Sequence, residues 1–321
     1  MPKLAGVAIV RDEGDIIESF VRRNLAVLDL LYILLHRSRD GTREIVMALR
    51  ASGLPMRVFS DEGEGFHQSL RINSLARRAF TEGGADFVFP IDADEMLVAE
   101  DRAALEAELA SLPANAGGSM QWETYAPAAG DDAAEPCPVR RLTHRFDTGP
   151  RWEPGERGAI DVMRTKLVLG KWFAGDEQAW IFEGNHVVLV NGQPSAVPVT
   201  AVRSAHFPVR TLEQLARKGV IGWLAFLASG QDPEKHGFAL HWKWICETVA
   251  AGRPLTLADL QEFVALYAPA AKGRPLLRDP LPRGDYALEY AHLRRPQPLP
   301  AAAQVAEQLA RAREPRPEGA D

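Results

Sequence analysis

Four apolar runs that alternate with amphipathic segments dominate the first hundred residues of this chain. The runs cover residues 4–10, 30–35, 56–60 and 87–91, and apolar side chains recur at helical spacing over residues 16–28, 45–49 and 68–82. Continuous apolar runs are typical of strands covered on both faces, and strands that alternate with helices are joined by right-handed crossovers in a parallel sheet. The sequence therefore predicts an α/β fold with a mostly parallel sheet flanked by helices.

Three acidic residues end the fourth apolar run, namely Asp92, Asp94 and Glu95. Side chains alternate along an extended strand, so Asp92 and Asp94 are expected to point to the same side and to be exposed. Adjacent carboxylates repel each other, and a divalent cation such as Mg²⁺ or Mn²⁺ relieves that repulsion while also binding substrate phosphates. This pattern indicates a metal that holds a nucleotide diphosphate. The alternative is a strand that ends in a solvated acidic turn.

Acidic residues also follow the first two predicted strands, with Glu13 after the first and Asp40 after the second. Ligands of parallel sheets bind beyond the carboxyl ends of the strands. Glu13, Asp40 and the Asp92/Asp94 pair are all expected at that one edge, and this shared location favours a binding site more than any single motif does.

Composition excludes several classes of protein. The chain has 321 residues, of which 46% are hydrophobic and 25% charged, and its net charge is −6. Such a charge argues against nucleic acid as the main partner. Cys137 and Cys246 lie far apart and fit a reducing compartment without a disulfide framework. No apolar stretch approaches the roughly 20 residues that span a bilayer, so a cytoplasmic location is expected.

The second half of the chain is less regular. Residues 101–112 are predicted as a helix and residues 118–125 as a strand, and further strands are predicted over 165–169, 179–190 and 197–207. The run over 179–190 is interrupted by Glu183-Gly184-Asn185-His186. Helical patterns follow over 212–227, 239–250, 257–267 and 304–313. These patterns add a mixed region and C-terminal helices to the parallel sheet.

The order of motifs in the first half resembles the nucleotide-sugar-binding half of a family 2 glycosyltransferase with the GT-A fold. The matching pieces are Asp12-Glu13, Ser38-Arg39-Asp40-Gly41-Thr42, Arg71-Ile72-Asn73 and Asp92-Ala93-Asp94-Glu95. Weaker matches follow at Gly184-Asn185-His186 and over residues 206–218, and they resemble a bacterial branch linked to cell-surface polysaccharide synthesis. Asp12 stands where the family more often has Asn, and His36-Arg37 where it often has an Asp that contacts the base.

This resemblance implies a metal-dependent hexosyltransferase, expected to be inverting, that uses Mn²⁺ or Mg²⁺. It implies a nucleotide diphosphate sugar as donor, a glycan or lipid-linked acceptor, no nucleic acid, and room for peripheral contact with a membrane. Residues 1–125 would then bind the donor, 126–210 would form the acceptor side, 211–270 would be helical, and 271–321 would be a partly disordered tail.

The resemblance also implies roles for individual residues. Asp94 would bind the metal directly, and Asp92 would bind the ribose or a metal-bound water. His206 would complete the metal or diphosphate site, and His186 would lie on the acceptor side. The remaining donor-binding residues would be Asp12, Glu13, Asp40, Arg71, Asn73, Arg210 and Lys218.

An inverting transfer needs a carboxylate base near the acceptor hydroxyl, because that hydroxyl has a high pKa. Glu183 is the expected base, and Asp161, Asp176 and Glu177 are its rivals.

Three other functions compete with this interpretation. A haloacid-dehalogenase-type phosphatase also has an Asp-x-Asp motif, but that motif normally opens the chain and continues with Thr or Val rather than Glu95-Met96. A nucleotidyltransferase normally has a basic, Gly-rich loop after its first strand, whereas residues 11–15 here are mostly acidic. A non-catalytic nucleotide-sugar-binding protein would share the donor site, so only an assay separates it from an enzyme.

Overall fold

The computed structural model of the chain describes residues 1–63, 68–149, 165–228, 240–271, 273–282, 284, 286–297 and 301–313. Its first strands are β1 (Leu4–Val10), β2 (Leu30–His36), β3 (Met56–Asp61), β4 (Phe87–Pro90), β5 (Glu95–Val98), β6 (Gly117–Ala126) and β7 (His144–Phe146). Those that follow are β8 (Thr165–Gly170), β9 (Trp180–Ile181), β10 (Val188–Val190), β11 (Gln193–Pro194), β12 (Ala196–His206) and β13 (Leu276–Arg278).

The strands form one large sheet and one small one. The large sheet runs in the order β13-β7-β6-β8-β4-β1-β2-β3, and β12 pairs with both β5 and β6. Strands β3, β2, β1 and β4 are parallel, whereas β8 is antiparallel to both β4 and β6. Strands β9, β10 and β11 form the small antiparallel sheet. The expected α/β fold, with a mostly parallel sheet and a mixed acceptor-side region, is confirmed.

The helices of the first half are α1 (Ile17–Asn24), α2 (Thr42–Ala51), α3 (Gln68–Thr81), α4 (Arg102–Ala110), α5 (Pro138–Arg141) and α6 (Trp172–Gly175). Those of the second half are α7 (Leu212–Ala228), α8 (Leu240–Ala250), α9 (Leu257–Ala265) and α10 (Ala302–Arg313). Helices α1, α2 and α4 pack on one face of the parallel strands and α3 packs on the other. The predicted C-terminal helices are present, and α10 packs on α7 and α8.

One predicted element differs from the observed one. The first helix ends at Asn24 rather than near residue 28, and the Asn24 amide instead bonds the backbone of Glu95 and Leu97, at 2.9 and 2.8 Å. The interruption predicted within 179–190 is confirmed, because a 3₁₀ turn at Glu183–Asn185 separates β9 from β10. Gly184 and Asn185 both adopt left-handed backbone conformations in this turn.

The core of the parallel sheet is fully apolar. Strands β1 and β2 contribute side chains to both faces, such as Val10 and Leu31 on one and Val7 and Tyr32 on the other. Within the described residues, no helix is long and apolar enough to cross a membrane. Glu13, Asp40 and Asp94 lie at the carboxyl edge of this sheet, just after the apolar strands β1, β2 and β4.

Candidate functional site

The loops that follow β1 and β2 are joined by four hydrogen bonds. The backbone N–H groups of Glu13 and Gly14 donate to the Thr42 hydroxyl at 2.9 Å and to the Asp40 carboxylate at 2.7 Å. The Asp12 N–H donates to Ser38 at 3.2 Å, and the Asp12 carboxylate accepts from the N–H of Arg39 at 2.7 Å. These bonds form a fixed two-loop platform at the carboxyl edge of the sheet.

Asp40 acts within this platform. One of its carboxylate oxygens accepts from the Gly14 N–H, and the other accepts from the N–H and the hydroxyl of Thr42. Its side chain is buried. The structure therefore shows Asp40 fixing the two loops, and the direct contact with a nucleoside that the sequence predicted stays a prediction.

The Asp-x-Asp segment is a turn and not a continuation of β4. The N–H of Glu95 donates to the carbonyl of Asp92 at 3.0 Å, and β5 begins at Glu95. Strand alternation therefore does not set the directions of Asp92 and Asp94, which have different charged partners. Asp94 is buried, with 6% of its surface exposed, so the expected exposed site is wrong.

Asp94 lies among His206, Lys218 and Arg210. Its carboxylate is 3.7 Å from His206 Nε2, 3.3 Å from Lys218 Nζ and 3.9 Å from Arg210. Burial opposes ionisation, but the cations Lys218 and Arg210 outweigh it and lower the pKa of Asp94 below its usual value. Asp94 is therefore a carboxylate at any physiological pH, which is the form that binds a metal.

The pairing of β12 with β5 explains how residues so far apart in sequence meet. His206 lies opposite Glu95 in this antiparallel pair, and the Phe207 N–H donates to the Asp94 carbonyl at 2.8 Å. The His206 ring stacks on Trp122, with centroids 4.4 Å apart, and meets the Tyr267 ring edge-on at 5.2 Å. Burial keeps the pKa of His206 well below its usual value, so the imidazole is neutral.

Arg210 is a buried link between the two halves of the site. Its guanidinium bonds both oxygens of Asp15, at 2.7 and 2.8 Å, and also bonds Glu13 and the Phe207 carbonyl. The side chain is fully buried. The structure shows a link to the first loop, and the predicted role of Arg210 in donor binding stays a prediction. Asp15, a partner that the sequence analysis did not select, holds this link.

Lys218 is the more accessible cation. Its side chain is 31% exposed, and its ammonium donates to the Pro208 carbonyl at 2.6 Å while it lies 3.5 Å from Glu13. Burial raises the pKa of Glu13, although Arg210 and Lys218 oppose the shift. In the described residues around Asp94, the three carboxylates Glu13, Asp15 and Asp94 face the two cations Arg210 and Lys218. A bound divalent ion would make the net charge of these groups positive and would favour binding of a diphosphate.

Lys166 is a second buried cation, which the sequence analysis missed. Its ammonium is 2.7 Å from Asp92, 2.8 Å from Glu95 and 2.7 Å from the Gly184 carbonyl. The side chain is 1% exposed and also lies over the Trp122 ring at 5.0 Å. Lys166 thus neutralises Asp92, as Lys218 and Arg210 do for Asp94. The signal was a lone Lys in the apolar strand pattern of residues 165–169.

The 3₁₀ turn at Glu183–Asn185 reaches the same edge of the sheet. Gly184 accepts from Lys166, and the Asn185 amide donates to Asp92 at 3.0 Å. The side chain of Glu183 lies outside the described part of the structure, and so does Asp161. The backbone position of the turn agrees with an acceptor-side role for Glu183, which stays a prediction.

The other two rivals for the base lie near the opposite edge. Gly170 pairs with Phe87, so β8 ends at the amino end of β4, and Asp176 and Glu177 follow it. The Asp176 carboxylate accepts from the backbone of Gln178 and Ala179, at 2.9 and 3.1 Å. This placement disfavours Asp176 and Glu177 as the base.

Arg71 and Asn73 both make protein contacts in α3. Arg71 pairs with Asp61 at 2.6 Å. The Asn73 amide exchanges two hydrogen bonds with the backbone of Ile181, at 2.9 and 2.8 Å, and so pins β9 to the helix. Asn73 is therefore a structural residue here, and the predicted donor contacts of both residues remain untested.

His186 lies beside the site as a half-buried neutral ring. Its Nδ1 is 2.7 Å from the Thr165 carbonyl, and the ring meets Trp122 edge-on at 5.0 Å. Burial lowers the pKa of His186 to about 3, with a further contribution from Lys166. Its predicted acceptor-side role agrees with this position near the Glu183–Asn185 turn.

This shift predicts a specific loss of stability in acid. Between pH 6.5 and pH 3 the unfolded chain binds a proton at His186 that the folded chain does not bind, so the free energy of unfolding falls as the pH falls. His186→Gln should lose about 2 kcal/mol less than the unaltered chain between pH 7 and pH 4.5 in urea titrations. The exposed His292→Gln is the control. Parallel curves for the unaltered chain and His186→Gln would contradict the assignment.

Asp94 and His206 have the spacing that two ligands of one divalent metal require. Two ligands of one ion at about 2.1 Å each lie no more than about 4.2 Å apart, and Asp94 and His206 are 3.7 Å apart. Their protonation states also suit a metal. Among the described residues no group of three or more His, Cys, Asp or Glu side chains could hold a metal. The pair therefore fits a metal whose other ligands are water or substrate phosphates.

No family model matches this sequence, and no curated protein matches it significantly. Among solved structures the chain is similar to GalNAc-T7 with UDP, GalNAc and Mn²⁺, at 13% identity and a TM-score of 0.38, covering 78% of this chain. It spans 57%, little more than half, of the length of that chain.

Two other solved structures show similarity of the same order. The mannosyltransferase PcManGT from Pyrobaculum calidifontis, in complex with GDP-Man and Mn²⁺, has 14% identity and a TM-score of 0.38, with 85% of this chain and 83% of that chain covered. Glucosyl-3-phosphoglycerate synthase from Mycobacterium tuberculosis, in complex with phosphoglyceric acid, has 15% identity and a TM-score of 0.36, with 70% and 78% covered. Likeness at this level assigns no activity, so the function must rest on the chain's own residues.

Proposed function

We propose that this protein is a metal-dependent glycosyltransferase that moves a sugar from a nucleotide diphosphate sugar to a hydroxyl acceptor. The observation that carries the proposal is the Asp94–His206 pair beside Lys218, at the carboxyl edge of a parallel sheet. This edge is where parallel sheets bind ligands, and the pair has the ligand types and protonation states that a divalent metal needs. The motif order that resembles family 2 enzymes with the GT-A fold supports the same conclusion.

Departure of the nucleoside diphosphate places negative charge on phosphate oxygens in the transition state. Asp94 and His206 would hold Mn²⁺ or Mg²⁺, which when bound supplies Lewis-acid stabilisation of that charge. Lys218 is placed to add a second positive charge, because its partly exposed ammonium is 3.3 Å from Asp94. Arg210 keeps Glu13 and Asp15 in place behind these residues.

The nucleoside would lie against the platform made by the loops after β1 and β2. Asp12 and Glu13 belong to the first loop and Asp40 to the second, and their mutual hydrogen bonds fix the platform before the donor arrives. Such preorganisation reduces the entropy lost on binding. Asp12 and His36-Arg37 differ from the residues that the family usually has at these positions. The identity of the nucleobase and of the sugar is therefore left open.

The acceptor would approach from the turn at Glu183–Asn185. Lys166 and Asn185 tie this turn to Asp92, and His186 follows directly. The proposal also has finer parts. They are inversion by a carboxylate base at this position, a glycan or lipid-linked acceptor, and a role in polysaccharide synthesis at the periphery of a membrane. The division into a donor half at 1–125, an acceptor half at 126–210, a helical region at 211–270 and a tail is part of it too.

A panel of nucleotide sugars tests the proposal. We expect one or a few of them to bind only when Mn²⁺ or Mg²⁺ is present and to be hydrolysed slowly without an acceptor. Binding without any turnover, even with glycan acceptors, would favour the non-catalytic alternative. Absence of binding across UDP-, GDP-, ADP- and CDP-sugars would overturn the proposal.

Glu183→Gln separates donor binding from turnover. If Glu183 is the base, this change should leave the affinity for the donor unaltered and reduce turnover by about 10²–10⁴-fold, because the acceptor hydroxyl loses its proton acceptor. Glu177→Gln, near the other edge of the sheet, is the matched control and should keep its turnover. Normal turnover in Glu183→Gln would show that the base lies elsewhere, with Asp161 as the next candidate.

A further inference from the structure

A segment from the end of the chain crosses the platform that the loops after β1 and β2 form. This segment, residues 289–297, is called the strap here, and it contains a 3₁₀ turn at Ala291–Leu293. Its contacts with the two loops join residues that are 255 and 285 positions apart in the sequence. Neither the proposed reaction nor the motif order accounts for its presence at that edge of the sheet.

The strap begins at an anchor on α1. The buried carboxylate of Glu18 accepts from the backbone N–H groups of Glu289 and Tyr290, at 2.8 and 3.0 Å. Arg22 bonds Glu18 at 3.1 Å and also pairs with Glu289 at 3.1 Å. A buried carboxylate that is satisfied by backbone N–H groups from elsewhere in the chain is a built attachment point, since such a group is costly to leave unpaired.

The strap then passes over the second loop. The N–H of Arg295 donates to the Asp40 carbonyl at 2.8 Å. The Leu293 carbonyl sits so close to the Cα of Gly41 that a Cβ there would collide with it. Gly41 also has a φ of +92°, which a residue with a side chain rarely adopts. Glycine at position 41 thus serves both the platform and the passage of the strap.

The strap ends on the first loop. The Gln297 amide donates to Asp12 Oδ1 at 2.9 Å, and that same oxygen accepts the Arg39 N–H of the second loop. Asp12 has a left-handed φ of 53°, and the Gln297 carbonyl in turn accepts from Arg217 of α7 at 3.4 Å. Gln297 therefore connects the oxygen that joins the two loops to the helix that carries Lys218.

We infer that Gln297 is a positioning residue of the donor site, which acts through Asp12 to fix the two-loop platform and thereby the selection of the nucleoside. The inference rests on the proposed function, because it takes the platform as the nucleoside site. It assigns the C-terminal strap to the donor site, in place of a separate tail. A fixed platform discriminates between bases because a base that fits poorly cannot be accommodated by movement of the loops.

A change in what position 297 offers to Asp12 provides the test. Gln297→Glu places a carboxylate against Asp12 and should repel the end of the strap, whereas Gln297→Lys keeps a hydrogen-bond donor for the same Asp12 oxygen and leaves the bond from the Arg39 N–H in place. His292→Ala is the matched control, because His292 is an exposed strap residue that contacts only the strap's own Glu289 carbonyl among the partners found in the structure.

Calorimetric titrations with UDP, GDP, ADP and CDP in the presence of Mn²⁺ supply the readout. For Gln297→Glu we expect about tenfold weaker binding of the preferred nucleotide and a smaller ratio between the preferred and the next nucleotide. Gln297→Lys should bind to within about threefold of the unaltered chain, and His292→Ala should match the unaltered chain. Thermal unfolding midpoints separate these effects from a loss of folding, because a purely structural residue would move the midpoint without a change in nucleotide ratio.

Three results would overturn the inference. Unchanged affinity and selectivity in Gln297→Glu would show that the strap has no part in the donor site, and tighter binding would show that it blocks the site. Failure of the unaltered chain to bind any nucleotide of the panel would reject the proposed function itself, together with the inference that rests on it.

Discussion

Asp94→Asn is expected to abolish Mn²⁺-dependent binding of a nucleoside diphosphate, with a loss of affinity of at least about 100-fold. The change keeps the shape of the side chain but removes the negative charge that lies 3.7 Å from His206 and 3.3 Å from Lys218. Of the pair Asp94 and His206, only Asp94 is an anionic ligand, so the metal would bind weakly without it. The diphosphate would then lose its contact with the metal. Isothermal titration with and without Mn²⁺ measures both effects.

Asn rather than Ala is the suitable replacement because Asp94 is buried. A smaller side chain would leave space between Lys218 and His206 and confuse a loss of binding with a loss of structure. Glu100→Gln, an exposed carboxylate just after β5, is the control and should bind as the unaltered chain does. Full metal-dependent affinity in Asp94→Asn would show that the metal does not bind there.

The second large effect is expected on stability. Lys166→Met should lower the free energy of unfolding by about 3–5 kcal/mol, because it leaves Glu95 and Asp92 without the cation that lies 2.8 and 2.7 Å from them. Methionine has a similar length, so the loss reports the charge rather than a cavity. Denaturation in urea, followed by fluorescence of the tryptophans, gives the value.

Two further variants identify the cause. Lys171→Met removes a lysine that is 68% exposed at the end of the same strand, and it should change the stability by less than about 0.5 kcal/mol. Burial raises the pKa of Glu95, so Lys166→Met combined with Glu95→Gln should recover about 1–2 kcal/mol. A loss in Lys166→Met no larger than in Lys171→Met would contradict a stabilising role for this cluster.

The parallel half of the sheet was predictable because its signals are local. The four apolar runs of the first half became β1, β2, β3 and β4 in the order expected. The placement of Glu13, Asp40 and Asp94 at one edge follows from the rule for parallel strands and required no knowledge of tertiary contacts. The proximity of His206 to Asp94 was also predicted, and it is confirmed at 3.7 Å.

Strand geometry was expected to continue through the Asp-x-Asp pair, but the strand ends at Pro90 and a turn follows. Each carboxylate of the pair has its own cation, Lys166 for Asp92 and Lys218 for Asp94. The repulsion that suggested a shared metal is therefore already relieved in the protein. Only Asp94, which keeps His206 as a neighbour, retains the character of a metal ligand.

Contacts between distant parts of the chain account for the rest of what the sequence did not reveal. Lys166 sits in an apolar strand, and nothing in its local pattern indicates three acceptors from two other segments. Gln297 lies in a Pro-rich stretch that reads as a tail, yet it bonds Asp12. Asp92 lies 74 residues from Lys166, and Asp12 lies 285 residues from Gln297. Periodicity carries no information about such distant pairs.

The most direct test of the account is the position of the metal. Crystals grown or soaked with Mn²⁺ and the preferred nucleoside diphosphate should show an anomalous difference peak within coordination distance of Asp94 Oδ1 and His206 Nε2, with the diphosphate on the same ion and the nucleoside on the loops after β1 and β2. A peak at another site, or a nucleoside diphosphate bound away from this edge of the sheet, would contradict the account.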